Sequence, residues 1–218
     1  MKNIIFATGN AGKMKEIREI LQDPEISVYF MKEAGIEAEV EENGTTFMEN
    51  AVLKATGIAR WCRENGIPGF PEQGIGDFIV MADDSGLEVD YLNGEPGVYS
   101  ARYMGYDTSY REKNASLIAR LAGVPREKRT ARFVCAIAAV FPDGSVKTAS
   151  GTVEGYIGWE ESGENGFGYD PIFYLYESDV STAALSPEEK NKISHRGRAL
   201  RLMKEQMRGG VYADIDRQ

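Results

Sequence analysis

The sequence is poor in the residues that build metal clusters and disulfide frameworks: one histidine, His195, and two cysteines, Cys62 and Cys135, in 218 residues. Neither cysteine belongs to a CxxC pair or lies near a His/Cys cluster, which excludes a zinc module and a disulfide scaffold. Both read as buried thiols of a reducing compartment. No run approaches the roughly 20 apolar residues that span a bilayer. The start, MKNIIFATGN, has one lysine and a short apolar run that enters a turn at once, too short for a signal segment. The expectation is a soluble, cytoplasmic protein with no membrane partner. Basic residues are also in deficit, 25 Lys and Arg against 34 Asp and Glu for a net charge of −9. Binding to a DNA or RNA backbone draws on clustered Lys and Arg, so a nucleic acid polymer is excluded as the main partner. A small phosphorylated ligand is not, because a metal ion and a few basic side chains can meet its charge locally.

What is present is ample apolar material, 42% of residues, enough for one large core. Ile4 to Ala7 reads as a strand ending in the turn TGN, and Met14, Ile17, Ile20 and Leu21 then recur at helical spacing. Ile26 to Met31 reads as a second strand. Thr46 and Glu49 form a capping box that opens a helix to about Arg63, followed by a Gly- and Pro-rich loop from Glu64 to Asp77. Phe78 to Ala82 predicts a buried strand ending in Asp83-Asp84-Ser85-Gly86, and Leu87 to Tyr91 a separate alternating one. Ser109 and Glu112 cap another helix. Ala131 to Phe141, Pro142-Asp143-Gly144 and a strand from Ser145 predict an antiparallel hairpin. After a Gly-rich stretch, Ile172 to Tyr176 reads as a strand, and Ser186-Pro-Glu-Glu189 starts the C-terminal helices. Helices interspersed with strands and a hairpin predict an α/β fold with a mixed sheet. No repeat, low-complexity tract or separating linker divides the chain, so residues 1–218 read as one domain.

Four segments carry chemistry. Thr8-Gly9-Asn10-Ala11-Gly12-Lys13 joins a strand to a helix, where open backbone N–H groups and the helix dipole favour an anion. It is not a Walker A loop, since its glycines are spaced GxxGK and Met14 replaces the magnesium-binding Ser or Thr. The plain alternative is a glycine connection with a surface lysine. Asp83-Asp84-Ser85-Gly86 places two carboxylates at a strand end, a common site of ligand groups in α/β proteins; adjacent strand residues face opposite ways, so only one of the pair points into a given cleft. Glu41-Glu42 adds a second acidic pair upstream of a helix carrying Asn50 and Lys54, and hard oxygen donors of this kind suit Mg²⁺. Gly166-Phe167-Gly168-Tyr169-Asp170-Pro171 offers aromatic faces, glycines that admit a flat ligand, and a carboxylate, against the plain alternative of packing. His195-Arg196, a few residues after Lys190, offers donors to carbonyl or phosphate oxygens, against a merely structural histidine.

In this order TGNAGK, EE, FMENAVLKA, ADDSG, GVYSAR, GFGYDPIF and EEKNKISHRG resemble the HAM1/RdgB family of inosine triphosphate pyrophosphatases over nearly the whole chain. The resemblance implies a long mixed sheet between two lobes with a central cleft, a homodimer, and Mg²⁺-dependent hydrolysis, with Mn²⁺ as a substitute, of ITP, dITP and XTP to monophosphate and pyrophosphate. It implies that Thr8, Gly9, Asn10, Ala11, Gly12 and Lys13 hold the triphosphate and that Lys54 contacts phosphate. Asp84 becomes the catalytic acid/base and, with Asp83 beside it, part of the metal-associated group, one of Glu41 or Glu42 a metal ligand, and Ser85 a substrate contact. Phe167, Gly168, Tyr169 and Asp170 line the base, with Lys190, His195 and Arg196 completing its recognition. The stretch from about Arg60 to Asp77 is longer than the family usually has, which bears on a lid or on dimer contacts. From residues alone two rivals stay open, a nucleotide-binding regulatory module and a nucleotide kinase. The surplus of carboxylates near the phosphate turn disfavours the first and the missing Walker A the second.

Overall fold

The computed structural model describes residues 1–208. A six-stranded mixed sheet runs in the order β2-β1-β3-β4-β5-β6. Strands β1 (Lys2–Phe6), β2 (Ile26–Phe30) and β3 (Phe78–Val89) are parallel, and β4 (Thr130–Val140), β5 (Val146–Ile157) and β6 (Phe173–Tyr174) extend the sheet antiparallel. The helices are α1 (Ala11–Ile20), α2 (Phe47–Asn65), α3 (Tyr110–Arg120), α4 (Pro187–Ile193) and α5 (His195–Met207).

Strand alternation sorts the core. Even positions of β3, Val80 and Ala82, pack with Ala51, Ala55 and Ile58 of α2. Odd positions, Ile79 and Met81, pack with Ile17 of α1 and with Ala199, Leu200 and Met203 of α5 on the other face. A third cluster joins the far ends of β3 to β5 with Leu117 of α3, with Leu121 just past its end and with Phe173. Both cysteines are buried and free.

Two expected elements differ. ADDSG is no break: β3 continues through it, with Asp83, Asp84 and Ser85 paired to Ile137, Ala136 and Cys135, so Leu87 to Tyr91 is not a separate strand. The long-range ladder to β4 outweighs the local turn preference of Asp and Gly. At the other end the strand expected over Ile172 to Tyr176 is only the Phe173–Tyr174 pair, because residues 170–172 form a 3-10 turn. The long 66–77 segment packs below the sheet edge, where Ile67 is buried and the Phe70 ring lies 4.6 Å from Tyr29 and 5.2 Å from Phe78.

Candidate active site

The cleft arises where β1 stops. Phe6 pairs with Met81, and beyond that point β3 has no neighbour on this side. Asp83, Asp84 and Ser85 therefore form an open rim reachable from both sheet faces, at the carboxyl end of a parallel strand. Alternation then separates the two aspartates. Asp84 faces α2, where Asn50 Nδ2 donates to its Oδ2 at 3.0 Å. Asp83 faces α1 and α5 and is fully buried, its Oδ2 3.1 Å from Lys13 Nζ and 3.3 Å from Arg196 Nη2.

The two carboxyls are tuned in opposite directions. Burial raises Asp84 above its ordinary range, and the Asn50 hydrogen bond with Lys13 and Lys54 only partly offsets this. Burial would raise Asp83 too, but Lys13, Arg196 and Lys54 outweigh it and hold the carboxyl well below the usual carboxylate range. Asp83 is thus held as an internal anion off the cleft lining, its Oδ2 meeting Lys13 and Arg196 and its Oδ1 buried without a partner.

The cleft encloses about 440 Å³, within the range of small-molecule sites. Thr8, Gly9, Asn10, Lys13, Glu42, Lys54, Asp84 and Ser85 line one end. Asn10 caps α1, its Oδ1 accepting from Lys13 N at 3.0 Å, and Thr8 Oγ1 accepts from Asn10 N at 3.2 Å. Glu42 Oε2 meets Lys54 Nζ at 2.9 Å. Glu41 is exposed and off the lining, so of the acidic pair Glu42 is the one at the cleft. Ala11 and Gly12 are also off it. Gly12 has a different use: a Cβ there would lie 2.6 Å from the Phe167 ring, so glycine lets that ring rest on the start of α1.

The other end is formed by Phe167, Gly168, Tyr169, Asp170, Lys190, His195 and Arg196. Gly166 and Gly168 take positive φ, which lets the loop turn back on itself. Asp170 Oδ2 accepts from Phe167 N at 2.8 Å and from Lys190, and Oδ1 accepts from Thr182 Oγ1 at 2.9 Å. Asp170 thus braces the loop from a place on the cleft lining. Tyr169 OH donates to Ser100 O at 2.8 Å and its ring meets Tyr110 edge-on. His195 is buried and stacked on Phe133 at 4.9 Å. Burial, with Arg196 and Lys190 nearby, keeps it well below the usual histidine range, hence neutral, and its Nδ1 has no partner.

One residue with no expected role joins the two ends. Glu16 of α1 is buried between Lys190 Nζ, at 2.7 Å, and Arg196 Nη1. Charges of opposite sign thus alternate from Lys13 through Asp83, Arg196, Glu16 and Lys190 to Asp170. Arg196 spends four of its five N–H donors inside this chain: Nε and Nη2 on Asp83, Nη2 on Ser85 Oγ at 2.9 Å, and Nη1 on Glu16. One Nη1–H remains. None of residues 60–77 lines the cleft.

No group of three or more His, Cys, Asp or Glu converges as a ready metal cluster among the described residues. Glu42 and Asp84 nonetheless fit a magnesium ion, which keeps several waters and takes one or two carboxylates plus phosphate oxygens.

A family model described as the Ham1 family matches residues 4–206. A dITP/XTP pyrophosphatase of Clostridium perfringens is 46% identical over 96% of this chain and 98% of its own length. One from Bacillus subtilis is 45% identical over 92% and 94%. Among solved structures, the Staphylococcus aureus Ham1 protein superposes with a TM-score of 0.80 at 41% identity, covering 95% of this chain and 99% of that one. A nucleoside-triphosphatase / dITP/XTP pyrophosphatase from Mycobacterium abscessus gives 0.68 at 36%, covering 92% and 98%.

Proposed function

From the premise that the chain belongs to the Ham1 family, we propose that it is a divalent-metal-dependent nucleoside triphosphate pyrophosphohydrolase that converts dITP, XTP and ITP to monophosphate and pyrophosphate. The observation that carries this reading is the opposed tuning of neighbouring carboxyls on one strand rim. A carboxyl raised by burial at the cleft, Asp84, lies between two lysines suited to phosphate, while its neighbour is locked away as a structural anion.

Attack of water on a triphosphate is slow because anionic oxygens repel the nucleophile and the leaving pyrophosphate gathers charge. Asp84 would orient the water and take its proton as the new P–O bond forms and the bridging P–O bond breaks. Lys13 and Lys54 would neutralise the phosphate oxygens. Glu42 and Asp84 would hold Mg²⁺, or Mn²⁺ in its place, which when bound offsets phosphate charge. At the other end, Phe167 supplies a face for the purine. The neutral His195 and the remaining Arg196 N–H offer donors to a 6-oxygen, whereas adenine presents a donor there. Donors left unpaired cost about 1–3 kcal/mol each, which makes ATP a poor substrate.

This reading treats the chain as a single domain whose cleft lies between two lobes, working in the cytoplasm as a homodimer. No helix among the described residues is long and apolar enough to cross a membrane. The test is incubation with dITP, XTP, ITP and ATP, with Mg²⁺ or with EDTA. Pyrophosphate from the first three, abolished by EDTA, is the expected result. Orthophosphate release, phosphoryl transfer, or binding without turnover would overturn the reading.

A further inference from the structure

We propose that Arg102 is a substrate-binding residue, the guanidinium that takes the outer, departing phosphates of the nucleoside triphosphate. This rests on the triphosphate reading above and assigns a residue to which that reading gives no role.

Five cationic side chains line the cleft. Four are matched: Lys13 with Asp83, Lys54 with Glu42, Lys190 with Glu16 and Asp170, and Arg196 with Glu16 and Asp83. Arg102 is the exception. Its guanidinium lies over the Tyr99 ring at 4.8 Å, and no carboxylate or hydrogen-bond acceptor engages it among the described residues. Stacking of this kind fixes the plane of a guanidinium and leaves its N–H edges for a bidentate oxygen ligand. A triphosphate brings several negative charges into a cleft whose lysines already face carboxylates, so the unmatched cation is the one with donors to spare.

The arm that carries Arg102 is anchored at the two residues before it. It ends a 3-10 turn, Gly97–Arg102. Ser100 Oγ accepts from Leu87 N at 2.9 Å and donates to Gly97 O at 2.6 Å, while Tyr169 OH donates to Ser100 O. Lys113 Nζ donates to Ala101 O at 2.7 Å. Lys113 is 1% exposed and has no carboxylate partner among the described residues. Burying an ammonium is costly, and the carbonyl it serves adjoins Arg102. The turn spans the two ends of the cleft, held by Tyr169 on one side and resting on β3 on the other. A Cβ on Gly86 would be 2.3 Å from Ser100 Oγ and 2.7 Å from Gly97 O, so the turn rests on β3 two residues past Asp84. Nearness to Asp84 along β3 together with an unmatched positive charge favours phosphate over base as the ligand.

The test compares wild type, Arg102→Gln and Arg102→Lys. Binding of tripolyphosphate and of IMP is measured by calorimetry with Mg²⁺, alongside the KM for dITP. The expected result is that Arg102→Gln weakens tripolyphosphate by about 10- to 100-fold, the value of a charge-assisted hydrogen bond. The KM for dITP rises in step, IMP binding stays within about twofold, and Arg102→Lys recovers part of the loss. Unchanged tripolyphosphate binding would overturn the assignment, and so would an equal loss for IMP, which would give the contact to base or ribose. Thermal midpoints of both variants should match wild type, since the side chain rests on an exposed ring. If wild type releases no pyrophosphate from dITP, the function reading fails. If it does, and Arg102→Gln binds tripolyphosphate normally, the Arg102 assignment fails alone.

Discussion

Asp83→Asn separates an internal anchor from a metal ligand. The substitution keeps the shape of the side chain and removes its charge, leaving Lys13 without an anion and Arg196 with Glu16 alone. Removing one partner of a buried ion pair costs about 3–5 kcal/mol. Lys13 is partly exposed and can turn to solvent, and an amide oxygen still accepts a hydrogen bond, so the lower end applies, about 3 kcal/mol. Against a total stability of roughly 5–15 kcal/mol this is a large fraction. It corresponds to a fall in Tm of about 6–12 °C for a chain of this size.

The assay is urea unfolding near neutral pH in EDTA, so that no metal contributes to either state. The folded-state pKa of Asp83 is depressed. Its contribution is therefore fully present above the unfolded value near 3.8 and is lost only as pH falls through the lower folded value, so the choice of neutral pH does not bias the result. A double-mutant cycle with Lys13→Met should return a coupling of about 0.5–3 kcal/mol. A change below about 0.5 kcal/mol in EDTA, together with a raised Mg²⁺ requirement, would refute the anchor reasoning and restore Asp83 to the metal.

Asp84→Asn should lower turnover of dITP by about 10² to 10⁴ with an unchanged unfolding midpoint, and activity within a few-fold of wild type would remove Asp84 as the base. The chain's one histidine is held neutral by burial, so unfolding takes up a proton once pH is below the ordinary value near 6.5; stability should fall by about 1.4 kcal/mol from about pH 7.5 to about pH 5.5. His195→Gln should flatten that slope, and a slope that survives belongs to other groups. Arg196→Ala should lower stability and, if its remaining N–H reads a 6-oxygen, also lower the ITP to ATP ratio of kcat/KM, which is insensitive to the amount of folded enzyme. An unchanged ratio would leave Arg196 only its structural role.

Local signals carried much of the fold. The capping boxes at Thr46 and Glu49, Ser109 and Glu112, and Ser186 and Glu189 all form, because each needs only four residues in sequence. The Pro142-Asp143-Gly144 hairpin forms for the same reason. ADDSG misled because its strand geometry is imposed by β4, some fifty residues away in sequence. Alternation implied that Asp83 and Asp84 part company, but not which of them meets the cations, since that depends on which helices cover each face. Glu16 was illegible for a related reason. Three residues after Lys13 it looks like surface charge, and only its position beside Ile17 on the buried stripe of α1 hinted otherwise. Arg102 lies within the quoted GVYSAR segment, yet its unmatched state is visible only once every other cleft cation has found its carboxylate.

The alternating charge chain ties the two ends of the cleft together. Lys13 stands at the start of α1 beside the phosphate turn, and Asp170 braces Phe167 at the base loop. Between them Arg196 and Glu16 each satisfy two neighbours. Loss of Asp83 or Lys190 strands the end charge beside it, Lys13 or Asp170, whereas loss of any other member leaves each neighbour one remaining partner. Buried charges are tolerated only when paired, so the chain has few low-energy rearrangements in which one end shifts alone. The Phe167 ring resting on Gly12 makes the same link sterically. On the proposed reading, a purine that shifted the Phe167 ring would press on the helix start that carries Lys13.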